Sequence, residues 1–496
     1  MGLLALAATL PAHAQDAPAR SLAVTATFDS TLSYLHTSPD GGSALSDVVL
    51  DLRPGVQVTS RSGRVRGSLN YSLDAIQHSD RAQSQGSALQ NYLNAAFTAE
   101  AVPNWAFVDA AASITQQNLS AYGQQSYNGL DQNANRTEVA SVSLSPYLRG
   151  SFGGLVSYEA RLNGSVNNTS NSSLGDSTGS GGSLTLGSAT RGYLGWSLAA
   201  TRQRTGYRVG RSTTSDQVLA SLIGRPDPEL TLTVRGGQES NNVLDLDRRT
   251  YGNWGAQAVW TPTVRTTVDL GTDHRYYGDS HHVLVEHRFA RSSFRFSSSR
   301  DVANPATNGA GSNQVITFYQ LLDLRYLSSV PDPVQRDQVV RDQLRAAGID
   351  PTQIALIGAG AVNSASTVIN RQDLGWTYTG LRTTFSVLAF ATTSSVIDTL
   401  ATGVGNGDGN YRQRGYSVTV TQRLTPTTTA TVSGSDLRTL STDTLPGSDL
   451  RSATLNFTQQ ISRRVNGSLA ARYTVQSGAA NPYHEQSISA SLGVRF

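Results

Sequence analysis

SISASLGVRF, residues 487–496, ends the chain and governs how the rest of it is read. Ile488, Ala490, Leu492, Val494 and Phe496 share one face of an extended strand, and Ser487, Ser489, Ser491, Gly493 and Arg495 share the other. Successive side chains of a strand point to opposite sides, so this spacing gives one apolar and one hydrophilic face. The pattern recurs upstream. In residues 465–476, Val465, Gly467, Leu469, Ala471, Tyr473 and Val475 alternate with Asn466, Ser468, Ala470, Arg472, Thr474 and Gln476. Residues 22–28, 65–73, 156–162, 194–200, 230–234, 264–270, 283–289 and 416–420 read the same way.

The connections alternate in length. Short ones fall near Arg61-Ser62-Gly63, Pro103-Asn104, residues 150–154, Arg191-Gly192, residues 225–228, Thr261-Pro262-Thr263, Arg291-Ser292, Gly380, Pro426 and Arg463-Arg464. Longer polar stretches lie between them, at 37–46, 118–136, 167–182, 239–249, 403–410 and 441–448. Segments of about ten alternating residues, with turns at one end and loops at the other, are the sequence pattern of a transmembrane antiparallel β-barrel. The expected fold is therefore all-β, with about 22 strands (range about 18–24) and both chain ends on the periplasmic side. The terminal strand resembles the segment that the barrel-assembly machinery reads in bacterial outer-membrane barrels, which makes Leu492, Val494 and Phe496 the candidate assembly signal. The Gly/Ser/Asn-rich run at 167–183 (NNTSNSSLGDSTGSGGS) is expected to be a flexible exposed loop.

Composition agrees. Hydrophobic residues make up 38% of 496, too few for a large water-soluble core, whereas a barrel needs only one apolar face per strand. All 39 basic residues are arginine, a bias that reads as base composition. A net charge of +3 without a basic run argues against nucleic acid as a partner. Residues 1–14 read as the back half of a secretory signal peptide with an Ala12-His13-Ala14 cleavage site, leaving 15–496 as the barrel domain. The implied setting is the outer membrane of a Gram-negative cell, with lipid and lipopolysaccharide as neighbours. Trp105, Trp196, Trp254, Trp260 and Trp376 are expected in the interfacial aromatic girdle.

Residues 300–364 break the pattern and carry helix signals. Asp332 is an N-cap, Pro333 occupies the first helical position and Gln335 completes a capping box. Val334, Val340, Leu344 and Ala347 form one stripe, and Gly348 ends it. A helical insertion in a late extracellular loop is expected, with Asp332, Pro333, Val334, Val340 and Leu344 as candidate plug or gate residues. Arg265, Asp269, Asp273 and Arg275, then Glu286 and Arg288, then Arg295, are expected to face the lumen on three successive strands. There they either orient polar solutes or pair to hold the wall. His274, His281, His282 and His287 cluster in one hairpin, but alternation sends His281 and His282 to opposite faces, so no metal site is expected. Nothing sets a base beside an activated nucleophile at His78-Ser79-Asp80, so neither an enzyme nor a cofactor is implied.

The run LLDLRYLSSVPDPVQRDQVVRDQLRAAGIDP, residues 321–351, resembles a helical insertion in the outer-membrane proteins associated with the PEP-CTERM/exosortase system. That family lies near exopolysaccharide genes and has no established catalytic residues. The resemblance implies a conduit or accessory component in exopolysaccharide or surface-protein export, with polysaccharide or periplasmic export components as partners. A porin for small polar solutes and a structural barrel with a blocked lumen remain alternatives. TonB-dependent transporters are disfavoured, because the first strand starts soon after the cleavage site.

Overall fold

Among the described residues, twenty-two antiparallel strands follow one another along the chain. They are β1 (Leu22–Pro39), β2 (Leu45–Ser60), β3 (Val65–His78), β4 (Leu89–Val102), β5 (Ala106–Asn118), β6 (Arg136–Phe152), β7 (Val156–Thr169), β8 (Ser177–Ser188), β9 (Leu194–Tyr207), β10 (Thr213–Asp227) and β11 (Leu230–Asn241). The second half comprises β12 (Arg249–Thr263), β13 (Thr266–Arg275), β14 (Gly278–Arg288), β15 (Ser292–Ala303), β16 (Thr367–Thr379), β17 (Thr383–Val396), β18 (Tyr411–Arg423), β19 (Thr428–Thr439), β20 (Ser448–Gln460), β21 (Val465–Ser477) and β22 (Tyr483–Arg495). The structure is a computed structural model. It describes residues 22–60, 63–80, 88–125, 134–170, 175–190, 192–303, 364–398, 409–478 and 482–496, and individually Asp323, Tyr326, Arg336, Val339, Val340, Val362 and Leu400.

Each strand pairs with its neighbours in sequence, and β1 closes on β22 from Thr27↔Arg495 to Pro39↔Tyr483. The Phe496 amide extends the seam by donating to the Ala26 carbonyl at 2.9 Å. Closure leaves no open edge, as a sheet in hydrocarbon requires. Prolines mark the irregularities, because they cannot donate to the ladder. Register shifts beside Pro226 and Pro262, and pairing skips a step at Pro54 and Pro146.

Alternation sorts the side chains as the sequence implies. Val24, Leu32, Val142, Leu198, Val432, Leu469 and Ile488 lie exposed on the outer surface, and their strand neighbours Ser, Thr, Asn, Asp and Arg face the lumen. An apolar exterior around a hydrophilic interior is the inverse of a water-soluble protein and suits a wall that spans a bilayer. Trp105, Trp196, Trp260 and Trp376 all belong to the short-turn end, while Trp254 lies six residues above Trp260 on β12. That separation of roughly 20 Å is about the height of an apolar band.

Two expectations need correction. The strands run from 10 to 18 residues rather than about ten, so many project beyond the hydrocarbon. And 167–183 is no continuous loop: Asn167 to Thr169 belong to β7 and Ser177 to Ser183 to β8. Glycine is used there for close approach rather than looseness. A Cβ on Gly181 would lie 2.5 Å from the Arg202 carbonyl oxygen of β9.

Candidate functional site at the barrel mouth

β13 to β15 deliver most of the expected lumen charges. Asp269, Asp273 and Arg275 share the inner face of β13, Glu286 and Arg288 that of β14, and Arg295 that of β15. Arg265 does not join them: β13 begins at Thr266, and Arg265 sits exposed in the preceding turn. Glu286 and Arg295 are directly opposite and pair at 3.0 Å. Other pairs step over a strand. Arg235 of β11 grips Asp273 of β13 with both forks of its guanidinium, across Gly255 of β12. A Cβ on Gly255 would stand 1.9 Å from the Asp273 carboxylate, so glycine is what lets the pair form. Arg275 reaches Glu239 of β11 at 3.1 Å and Asp301 of β15 at 3.4 Å, and His282 lies 3.4 Å from Asp269. These charges tie four or five strands together. In the turn between β13 and β14, Tyr277 donates to Asp301 at 2.6 Å, and burial pushes its phenol up to about 12. Tyr276 packs edge-on against Tyr277.

The mouth at the long-loop end is crossed by chain. After β5, residues 119–125 fold inward instead of outward and dock on distant strands. The Tyr122 hydroxyl donates to the Asn410 carbonyl at 3.0 Å, 288 residues away in sequence. Thr439 donates to the Ala121 carbonyl at 3.4 Å. The Gln125 amide donates to the Gln476 side chain at 2.9 Å, and the Tyr483 hydroxyl to the Gln125 carbonyl at 2.7 Å. Ala121, Tyr122 and Tyr411 form a small buried apolar cluster with Leu445 at its edge. The loop is thus held by β18 to β22. A second strap leads into β16. The Val362 amide donates to the Asn118 carbonyl at 3.1 Å, and the Gly175 amide to Ser364 at 2.9 Å. Gly175 has φ +88, and a Cβ there would lie 2.2 Å from the Val362 side chain. A third tie is ionic. Arg211, between β9 and β10, donates to both carboxylate oxygens of Asp398, between β17 and β18, at 3.0 Å. Arg211 also binds the Asp245 and Val243 carbonyls.

Sequence reasoning assigned 118–136 to an outward loop and gave no role to Arg211, Asp398, Gly175 or Ser364. One available signal was Leu119 with Ala121-Tyr122, apolar residues inside a polar loop. Of the plug candidates, Asp332, Pro333, Val334 and Leu344 lie outside the described residues. Val340 is described, helical and fully buried. Arg336, also helical and buried, donates to Asp323 at 2.7 Å. The lumen wall of β16 to β20 is buried along its height, from Thr392 and Ser394 near the long-loop end to Thr377, Ser386 and Thr458 near the short-turn end.

The remaining candidates resolve individually. The four hairpin histidines go to separate partners: His274 to Asp279, His281 to Ser298, His282 to Asp269 and His287 to Thr266. His78 donates to the Asp47 carboxylate at 2.5 Å, and Ser79 donates to the same carboxylate at 2.7 Å. The serine therefore serves Asp47 and not the far nitrogen of His78, which makes the group a clasp between β2 and the end of β3. Leu492 and Phe496 face outward beside β21, with Val494 between them.

Neither a protein-family model nor a curated protein sequence matches the chain. Among solved structures it is similar to the FrpB iron transporter from Neisseria meningitidis (F5-1 variant). The apoprotein form gives a TM-score of 0.51 at 10% identity over 95% of this chain and 81% of that one. A second structure of the same transporter gives 0.50 at 9% identity over 95% and 82%. The likeness shows a common barrel fold.

Proposed function

We propose that this chain is a channel-type barrel of the Gram-negative outer membrane, acting as a conduit or accessory component in exopolysaccharide or surface-protein export. The observation that carries this reading is a hydrophilic lumen inside an apolar wall, with a mouth crossed by three tied segments. A barrel of this strand number encloses more space than its wall side chains fill, so whatever crosses the mouth governs passage. The exterior fits the setting. Arg412, Arg414, Arg438 and Arg451 project outward near the long-loop ends of β18 to β20, above Val432 and Leu455, at the level of lipopolysaccharide phosphates. The terminal strand, closed on β1, is the natural contact for the barrel-assembly machinery. Transport rather than catalysis is the role supported by charges that pair with one another instead of poising a nucleophile.

The burial of the β16 to β20 lumen wall favours a second reading, a filled barrel with an anchoring role. Planar-bilayer recording separates the two. The refolded chain is compared with a variant whose residues 308–361 are replaced by a short Gly/Ser linker. A quiet wild type and a conducting variant support a gated conduit. Equal steady conductance means a porin, and silence in both means a filled barrel.

A further inference from the structure

The opposite end of the barrel carries a different electrostatic design. Six lumen-facing arginines stand at the short-turn ends of their strands: Arg66 on β3, Arg149 on β6, Arg225 on β10, Arg288 on β14, Arg423 on β18 and Arg495 on β22. They recur every three or four strands and so surround the opening. Their inward direction follows from register. Arg66 is opposite Thr98, Arg149 opposite Glu159, Arg288 opposite Ser293, Arg423 opposite Thr429 and Arg495 opposite Thr27, all on the inner face. The Arg225 guanidinium lies over Gly195, where a Cβ would stand 3.1 Å from it.

Four of them, Arg66, Arg149, Arg225 and Arg423, form no ion pair among the described residues. Arg149 lies over the Phe107 ring at 4.3 Å, and its register partner Glu159 binds Arg161 at 3.2 Å instead. Among the described residues, the Arg225 guanidinium donates to the Gly192 carbonyl at 3.3 Å and to no carboxylate. Several carboxylates at this level are engaged elsewhere: Glu100 accepts from the Asn104 amide, Asp227 accepts from the Glu229 amide at 2.8 Å, Asp109 holds Arg161 at 2.7 Å, and Glu286 holds Arg295. Toward the mouth, by contrast, the inner-face Arg235, Arg275 and Arg371 all have carboxylate partners.

A ring of one sign with its counter-charges withheld selects solutes of the other sign. We infer that this opening is an anion-binding vestibule whose ligand is an acidic glycan, a sugar chain bearing carboxylates. Guanidinium forks match planar carboxylates two bonds at a time. The wall just inside is rich in hydroxyl and amide groups (Thr25, Ser68, Asn70, Ser468, Ser491), which suit the rest of a sugar. The inference deepens the export reading by naming the class of cargo, and it rests on that reading for the word cargo alone.

The test uses the refolded full chain and a quadruple variant, R66Q/R149Q/R225Q/R423Q, with R204Q/R300Q, on the outer faces of β9 and β15 near the long-loop end, as a charge control. Oligogalacturonate and neutral maltodextrin of the same length are titrated calorimetrically, and reversal potentials are read across a KCl gradient. Oligogalacturonate should bind the wild type and the control alike, and at least about tenfold more weakly to the quadruple variant, with maltodextrin indifferent to both changes. Galacturonate binding unchanged in the quadruple variant, or equal binding of the neutral sugar, overturns the inference. In conducting preparations the wild type should be anion-selective and the quadruple variant markedly less so, and a cation-selective wild type also overturns it. Ring-dependent binding in a barrel that never conducts would uphold the vestibule and sink the export channel, so the two readings fail separately. R66K/R149K/R225K/R423K, which keeps the charge, should restore selectivity if the quadruple variant folds poorly.

Discussion

At the scale of single residues, the wall depends on a few positions where one atom decides. Gly255 is the sharpest, because the Arg235–Asp273 pair passes over it and a Cβ would meet the carboxylate at 1.9 Å. Gly255→Ala should lower unfolding stability in vesicles by about 1–3 kcal/mol, the cost of overpacking with a displaced ion pair. Gly252, on the same strand but with nothing within 4 Å of its Cβ position, serves as control. Equal urea midpoints for the two alanine variants would mean that the pair bridges the strand without needing the gap. Arg211 acts at the mouth in a similar way. Its Asp398 partner is 2% exposed on the side chain, so Arg211→Ala leaves a buried carboxylate unmatched, with about 3–5 kcal/mol pressing the two loops apart. The loops open before the wall does. Hydrogen exchange should therefore rise at the amides of Val396, the last residue of β17, and Ile397, which donate to Asn410 and Ser366, while the amides of Phe385 to Phe390 lower on β17 stay protected. Unaltered exchange at these two amides would remove Arg211 from the mouth's support.

At the scale of elements, the strands were readable and the loops were not, for a physical reason. A strand with one face in lipid must obey a period of two at every step, so 465–476 and 487–496 displayed both faces in the sequence alone. The prediction belonging to this scale follows. Leu469→Arg puts a charge on the lipid face of β21 and should cost about 2–4 kcal/mol, whereas Ser468→Arg, one residue away and facing the lumen, should cost far less. Matched unfolding free energies would reverse the assignment of faces. Loops have no such constraint. Asn118 to Arg136 look equally polar whether they point outward or fold inward, and contacts 288 to 358 residues distant settle the direction for 119–125. Glycine misled in the same manner: at 177–183 it signalled flexibility by composition, yet Gly181 marks a close strand approach.

At the scale of the whole molecule, the two ends of the barrel do different things, and alternation alone could not tell them apart. The sequence made the lumen charges at β13 to β15 visible as a set. Register then turned them into internal pairs and left the uncompensated cations at the far opening, spread over strands that no local window would group. Segments at the long-loop end are instead held by ties of two independent kinds, hydrogen bonds from 119–125 to β18 to β22 and the Arg211–Asp398 ion pair. They reach the mouth from different sectors of the wall. If each restrains its own segment, loosening them should add rather than substitute. Y122A/Q125A removes the Tyr122 anchor to Asn410 and the Gln125 side-chain bond to Ala121, while R211A removes the ionic tie. In planar bilayers the open-state occupancy should rise from wild type through either set to the combination. Because the Arg211–Asp398 pair is charged, only the R211A step should be mimicked in wild type by raising the ionic strength, and only partly, since Asp398 is nearly closed to salt. A combination no more open than R211A alone would mean that 119–125 only follows the other segments, and that one latch governs the mouth.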